Sequence, residues 1–250
     1  MQTADFTDKT AIVTGASEGI GYALAKGLVD AGARVLLVAR REEKVRQATE
    51  ELGERASWLA ADVSAENAGE QIVAAAIARF GGLDYLVNNA GLNLPAAIGD
   101  YNVTDLRRMI DLNLIGTMML TQAAVPHLAK RKGAAVLNIS SVGGRKVVAG
   151  NGPYSATKTA INFLTGTWAV ELAGQGIRVN GISPASTETP QFAKVADSIE
   201  GFRELAVGMH HIRRMCAPEE LVPPALLLLS GELGGFITGS VLDVDGGAHI

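Results

Sequence analysis

Short runs of apolar and β-branched residues recur along the chain, and helical periodicity fills the intervals between them. Residues 10–14, 34–39, 56–61, 83–88, 134–140, 177–183 and 240–244 read as strands. Two of these, Val35-Leu36-Leu37-Val38 and Ala135-Val136-Leu137-Asn138-Ile139, are apolar at successive rather than alternate positions. A strand needs that only when both faces of its sheet are covered. The alternation of strands with helices predicts an α/β fold, a doubly wound seven-stranded parallel sheet with helices on both faces. Ligands in such sheets bind beyond the carboxyl ends of the strands. Gly15, Arg40, Asp62, Asn89, Ser141 and Pro184 each follow a predicted strand closely.

Composition narrows the picture to a single domain over residues 1–250. The chain is 48% hydrophobic and 19% charged, and no linker, repeat or charge block divides it. A net charge of −4, with no basic cluster denser than Lys130-Arg131-Lys132, leaves no footprint for nucleic acid or an anionic membrane. That run, followed by Gly133, reads as a solvated helix end. The sole cysteine, Cys216, fits a reducing compartment. Residues 1–9 are polar, and the longest apolar stretch, residues 221–229, is too short to span a bilayer. The expected location is cytoplasmic.

The first strand runs into Gly15-Ala16-Ser17-Glu18-Gly19-Ile20-Gly21 and then a helix over residues 22–31. Glycines at such a turn let backbone amides and the positive helix end approach a pyrophosphate, although a tight packing turn would use them too. After the second strand a carboxylate would grip the ribose 2′-hydroxyl of NAD, and a cation would accept the 2′-phosphate of NADP. Here Arg40 and Arg41 follow Ala39, which points to NADP(H). Glu18 in the glycine turn argues the other way. Cations preceding Glu42 are unfavourable at a helix N-terminus unless an anion joins them.

Tyr154 and Lys158 stand four apart in a predicted helix over residues 153–172, so they share a face. An ammonium beside a phenol lowers its pKa and fits it for proton transfer. Ser141, thirteen positions earlier at a strand end, offers a hydroxyl to a substrate oxygen, while Ser140 points to the opposite face. Asn113 falls in a helix over residues 106–128, whose buried stripe is expected at Ile110, Leu114 and Met118.

With Asn88-Asn89-Ala90-Gly91 and Asn180 with Pro184 added, these motifs resemble, in order and over nearly the whole chain, the short-chain dehydrogenase/reductase family. The resemblance implies a Rossmann-like fold and a tetrad of Asn113, Ser141, Tyr154 and Lys158. In it Asn113 holds a water linked to the lysine, and Lys158 also holds the nicotinamide ribose. It further implies that Asp62 and Val63 meet the adenine, that Asn89, Ala90 and Gly91 border the adenosine ribose, and that Thr187 to Thr189, after Pro184, meet the nicotinamide amide and phosphates. Asp62 has an equal alternative as a cap for the next turn. The implied partners are a small carbonyl or alcohol substrate and further copies of the chain, in a homotetramer or a dimer.

Where the family reads Pro-Gly, this chain reads Pro184-Ala185, and the glycines usual before Pro218 are absent. Residues 187–217 are expected to form a mobile lid that selects substrate. Its Arg213 and Arg214 either meet an anionic substrate tail or anchor the lid, and His210, His211 and Cys216 lack metal-ligand spacing. Leu92, Leu94, Val147 and Val148 are expected to form an apolar wall. The reading is an NADP(H)-dependent carbonyl reductase or alcohol dehydrogenase. Its rivals are an NAD-linked dehydrogenase and a non-catalytic NADP sensor, the latter disfavoured by the presence of both Tyr154 and Lys158.

Overall fold

The computed structural model describes residues 5–198 and 200–250. The strands are β1 (Thr10–Thr14), β2 (Arg34–Ala39), β3 (Ala56–Ala60), β4 (Tyr85–Asn88), β5 (Ala135–Ile139), β6 (Arg178–Pro184) and β7 (Val241–Val244). They form one parallel sheet in the order β3-β2-β1-β4-β5-β6-β7, as the alternation predicts. The helices are α1 (Gly19–Asp30), α2 (Glu42–Leu52), α3 (Ala68–Phe80), α4 (Val103–Ile110), α5 (Thr117–Leu128), α6 (Gly152–Ala173), α7 (Pro190–Ser198), α8 (Phe202–Gly208) and α9 (Val222–Leu229).

Side-chain alternation along each strand builds two cores. Ala11, Val13, Val35, Leu37 and Leu137 face α1, α2 and α9, while Ile12, Leu36, Val38, Leu86 and Val136 face α3, α5 and α6. The chain winds outward in both directions from β1 and β4, so the connections after these strands diverge and open a crevice at their carboxyl ends.

The segment expected as one helix over 106–128 is instead α4, a π-helical turn (Asp111–Gly116) and α5. The wider turn seats Gly116 against the backbone of Val63, where a Cβ would lie 2.7 Å from the carbonyl oxygen. It also rotates the helix surface, so the expected stripe is wrong. Ile110 and Met118 are 44% and 43% exposed, and Met109, Leu112, Asn113, Gly116 and Leu120 face inward.

The basic run at 130–132 is not simply solvated either. Arg131 grips the buried Asp84 through two hydrogen bonds of 3.1 Å, and Asp84 also accepts from the amide and hydroxyl of Thr10 at 3.0 Å. Burial alone would raise the Asp84 pKa, but Arg131 and Thr10 hold it below the usual carboxylate range. At the other end of these strands, Asn88 donates to Thr121 and to Asn138, and Asn138 donates to Thr165, each at 2.9 Å. This buried chain fixes α5 and α6 to the sheet beside the crevice.

Candidate active site

The glycine turn is built by backbone crowding. Gly15 and Gly19 have φ of +64° and +60°, and a Cβ on Gly21 would lie 2.3 Å from the Gly15 oxygen. Helix α1 begins at Gly19, three residues before its expected start, and Glu18 makes no side-chain cap to it. Its first amides are therefore left for an anion. The turn is held from behind: Asn89 donates to the oxygens of Thr14 and Gly15 at 2.8 and 3.2 Å, and the Thr14 hydroxyl accepts from the amides of Asn89 and Ala90 at 3.0 Å. Thr14 opens the glycine motif in the sequence, but its part in holding the turn from behind emerges only from these bonds.

Past β2 and β3, Asp62 accepts from the amide and hydroxyl of Ser64 at 3.0 and 2.6 Å, so it caps its own turn. Its other oxygen stands 3.8 Å from Arg40. Glu18 joins Arg41 at 2.7 Å and Lys44 at 2.8 Å. Partial burial would raise the Glu18 pKa, but the two cations hold it low. Arg41 at the start of α2 thus has a protein anion, and its position does not by itself call for a phosphate.

Tyr154 and Lys158 lie in the first turns of α6. The Lys158 ammonium donates to the Ile139 carbonyl at 2.8 Å and stands 5.7 Å from the centre of the Tyr154 ring. Burial pushes Lys158 down to about 8. Burial raises Tyr154 from its usual value, and a hydrogen bond from Ser141 works against that rise. In the chain alone, desolvation outweighs the lowering expected from the nearby ammonium. The Ser141 hydroxyl also accepts from the Gly143 amide at 3.1 Å. Ser140 turns away, as expected, and donates to the Lys158 carbonyl at 3.3 Å.

Asn113, at 2% exposure, lies behind the crevice rather than in its lining. It accepts from the Leu92 amide at 2.8 Å and donates to the Leu92 oxygen at 2.9 Å and the Thr157 hydroxyl at 3.1 Å. It thereby ties the loop after β4 to α6. Thr157, a residue sequence reasoning passed over, completes that tie.

The lid segment is closed at its base by a bridge between Thr187 and Cys216 and carries α7 and α8. Thr187 is buried, and Thr189 accepts from the Phe192 amide at 3.1 Å to open α7. Gly19 meets Thr189 across the crevice, where a Cβ would lie 3.1 Å from its methyl group. Arg214 pairs with Glu220 at 2.6 Å and Arg213 donates to the Gly208 oxygen at 2.9 Å. Neither lines the crevice, so both anchor the lid. Of the expected apolar wall, Leu92 lines the crevice, Leu94 faces a smaller neighbouring pocket, and Val147 is 97% exposed.

One cleft of about 600 Å³ gathers nearly every sequence-predicted position: Gly15, Ser17 to Gly21, Arg40, Arg41, Asp62, Val63, Asn89 to Gly91, Ser141, Tyr154, Lys158, Pro184, Thr187 and Thr189. Asn93, Pro95, Gln191, Lys194 and Phe202 also line it. Among the described residues, no helix is long and apolar enough to cross a membrane.

The family model described as enoyl-(acyl carrier protein) reductase matches residues 15–249. The chain is 36% identical over 245 residues to the cis-4-hydroxycyclohexanecarboxylate dehydrogenase of Sinomonas cyclohexanicum, covering 97% of each. It is 40% identical over 187 residues to an uncharacterized oxidoreductase of Staphylococcus epidermidis, covering 75% of this chain and 81% of that protein. Among solved structures it resembles the short-chain dehydrogenase/reductase of Brucella melitensis described as glucose/ribitol dehydrogenase, with TM-score 0.92, 30% identity and all of both chains covered. It also resembles a 3-ketoacyl-(acyl-carrier-protein) reductase of the same organism complexed with NADH, with TM-score 0.90, 32% identity, and 98% of this chain and 100% of that one covered.

Proposed function

The chain belongs to the short-chain dehydrogenase/reductase family, and from that premise we propose an NADP(H)-dependent oxidoreductase that reduces a ketone or other carbonyl to a secondary alcohol, or runs the reverse. The observation that carries this reading is the single cleft with a glycine turn and helix N-terminus in its floor, Arg40 and Arg41 at one end, and Ser141, Tyr154 and Lys158 at the other.

The residues fit a nicotinamide dinucleotide. A Cβ at Gly19 would press across the crevice toward Thr189, one at Gly15 or Gly21 would strike the backbone of Ala90 or Gly15 and undo the turn, and the uncapped amides of α1 suit a pyrophosphate. Arg40 takes the 2′-phosphate, Asp62 and Val63 border the adenine, Ser17 and Ile20 line the phosphate turn, and Pro184, Thr187 and Thr189 border the nicotinamide. When bound, the cofactor supplies or accepts the hydride.

Tyr154 gives its phenolic proton to the carbonyl oxygen in reduction and takes it back in oxidation. Its raised pKa keeps the proton in place in the free chain. Ser141, beside the phenol, turns its single hydroxyl proton to the substrate oxygen and stabilises the charge that develops there. Lys158 supplies positive charge beside the phenol and reaches the nicotinamide ribose. Asn113 acts through its bonds to Leu92 and Thr157, which set Lys158, and through a water that links the lysine to solvent. Residues 187–217 close over a small carbonyl or alcohol substrate. The assembly is a homotetramer, and the location is cytoplasmic.

Glu18 favours a second reading, use of NADH, because it already occupies Arg41 and Lys44. Comparing kcat/KM for NADPH and NADH separates the two. We expect NADPH to be preferred, and Arg40→Ala to lower the NADPH-to-NADH ratio by roughly one to two decades, the worth of one charge-assisted contact. A native preference for NADH, or a ratio that Arg40→Ala leaves in place, would overturn the NADP assignment.

A further inference from the structure

On its lid side the cleft is lined by four large apolar side chains, with the uncharged amides Asn93 and Gln191 beside them. Leu92 and Pro95 come from the loop after β4, and Phe192 and Phe202 come from the lid. The two phenyl rings lie 5.5 Å apart at 35°, and the Arg203 guanidinium covers the Phe192 ring at 5.4 Å. Arg203 also pairs with Glu188, so Phe192 is held in place from outside. A fixed aromatic pair of this kind suits a compact ring or branched hydrocarbon better than a flexible chain.

One cation lines the same cleft from the lid. Lys194, on α7, lines the cleft and is exposed. The other cations of the lid are spent inside the protein: Arg203 on Glu188, Arg213 on the Gly208 oxygen and Arg214 on Glu220. The cations elsewhere in the cleft have other roles: Arg41 pairs with Glu18, Lys158 donates to the Ile139 oxygen, and Arg40, 3.8 Å from Asp62, is the one assigned above to the 2′-phosphate. Among the described residues, no carboxylate lies within ion-pair distance of Lys194. A cation without a carboxylate partner, lining a cleft among apolar and uncharged side chains, selects for an anion on whatever fills the space.

We propose that the substrate is a small cyclic or branched secondary alcohol or ketone that carries a carboxylate, and that Lys194 pairs with that carboxylate. The proposal rests on the oxidoreductase reading above and goes further by naming the substrate class. The pairing orients the ring so that its oxygen-bearing carbon faces Ser141 and Tyr154, and it discriminates against neutral analogues of the same shape.

The test compares reduction of 4-oxocyclohexanecarboxylate with that of its methyl ester and of cyclohexanone, by the native enzyme, Lys194→Met and Lys194→Arg. The NADPH dissociation constant of each protein is measured separately by fluorescence, without substrate. The native enzyme should favour the acid over the ester by about tenfold or more in kcat/KM. Lys194→Met should remove most of that preference by raising KM for the acid, Lys194→Arg should keep it, and NADPH affinity should change by less than about twofold. Ketones reduced with no preference for the acid would overturn this proposal and leave the oxidoreductase reading standing. So would a preference that Lys194→Met leaves intact, or a loss confined to NADPH affinity, which would assign Lys194 to the cofactor phosphates. Absence of turnover with every ketone and either cofactor would overturn both.

Discussion

Lys158 is held by the Ile139 carbonyl in a buried place, and loss of solvation pushes its ammonium down to about 8 from a usual value near 10.4. Between these values the unfolded chain binds the proton and the folded chain has released it, so this residue's contribution to stability rises with pH. Tyr154 acts with the opposite sign. Its pKa is raised by burial, against the hydrogen bond from Ser141, so its contribution falls once the pH passes the ordinary phenol value near 10. Between about pH 8 and 10 rising pH relieves the cost of burying Lys158, while Tyr154 has not yet begun to lose its contribution. Catalysis should respond differently, since the proposed role of Lys158 needs the ammonium. The kcat/KM for reduction, which reports the free enzyme, should fall as pH rises through about 8, while the urea midpoint loses nothing to this pair up to about 10. A rate profile flat to pH 10 would remove the Lys158 charge from the mechanism. The Tyr154–Lys158 spacing was legible because four residues make one helical turn; which side of the balance wins was not, because it depends on burial.

Among the elements, the α4 to α5 segment shows most clearly where a periodic reading fails. A constant 3.6-residue repeat put Ile110, Leu114 and Met118 on the core, but the π-helical turn at Asp111–Gly116 shifts the phase and sends two of them outward. Ile110, Ile115, Met118 and Met119 are consequently exposed on one surface, and α6 exposes Phe163 and Val170 at 78% and 80%. Apolar helix faces of this extent are better explained by copies of the same chain than by water. We expect light scattering at micromolar concentration to give a mass near four times 26.0 kDa, and Met118→Glu with Phe163→Glu to lower it. A native chain that stays monomeric would contradict that assembly. Arg131 was misread for a related reason. Its partner Asp84 is 47 positions away, and no local pattern announces a pairing set by how α5 returns to the start of β4.

For the whole molecule, the sheet and the position of its site were legible because both follow from connectivity. Doubly covered strands have to be apolar throughout, and a divergence of connections has to open a crevice where Gly15, Asn89 and Ser141 emerge. The charge arrangement was not legible, because Glu18, Arg41 and Lys44 meet only after α1 and α2 are packed. Nor was the use of the lid arginines as anchors. What connects the fold to its function is the claim that Tyr154 moves the proton while the rest of the cleft only binds and orients. The most direct test is Tyr154→Phe, which keeps the ring and removes the hydroxyl, assayed with a ketone the native enzyme reduces and with NADPH binding followed separately by fluorescence. Turnover should fall by roughly 10² to 10⁴-fold while the NADPH dissociation constant stays within a few-fold, and turnover near the native rate would contradict the account.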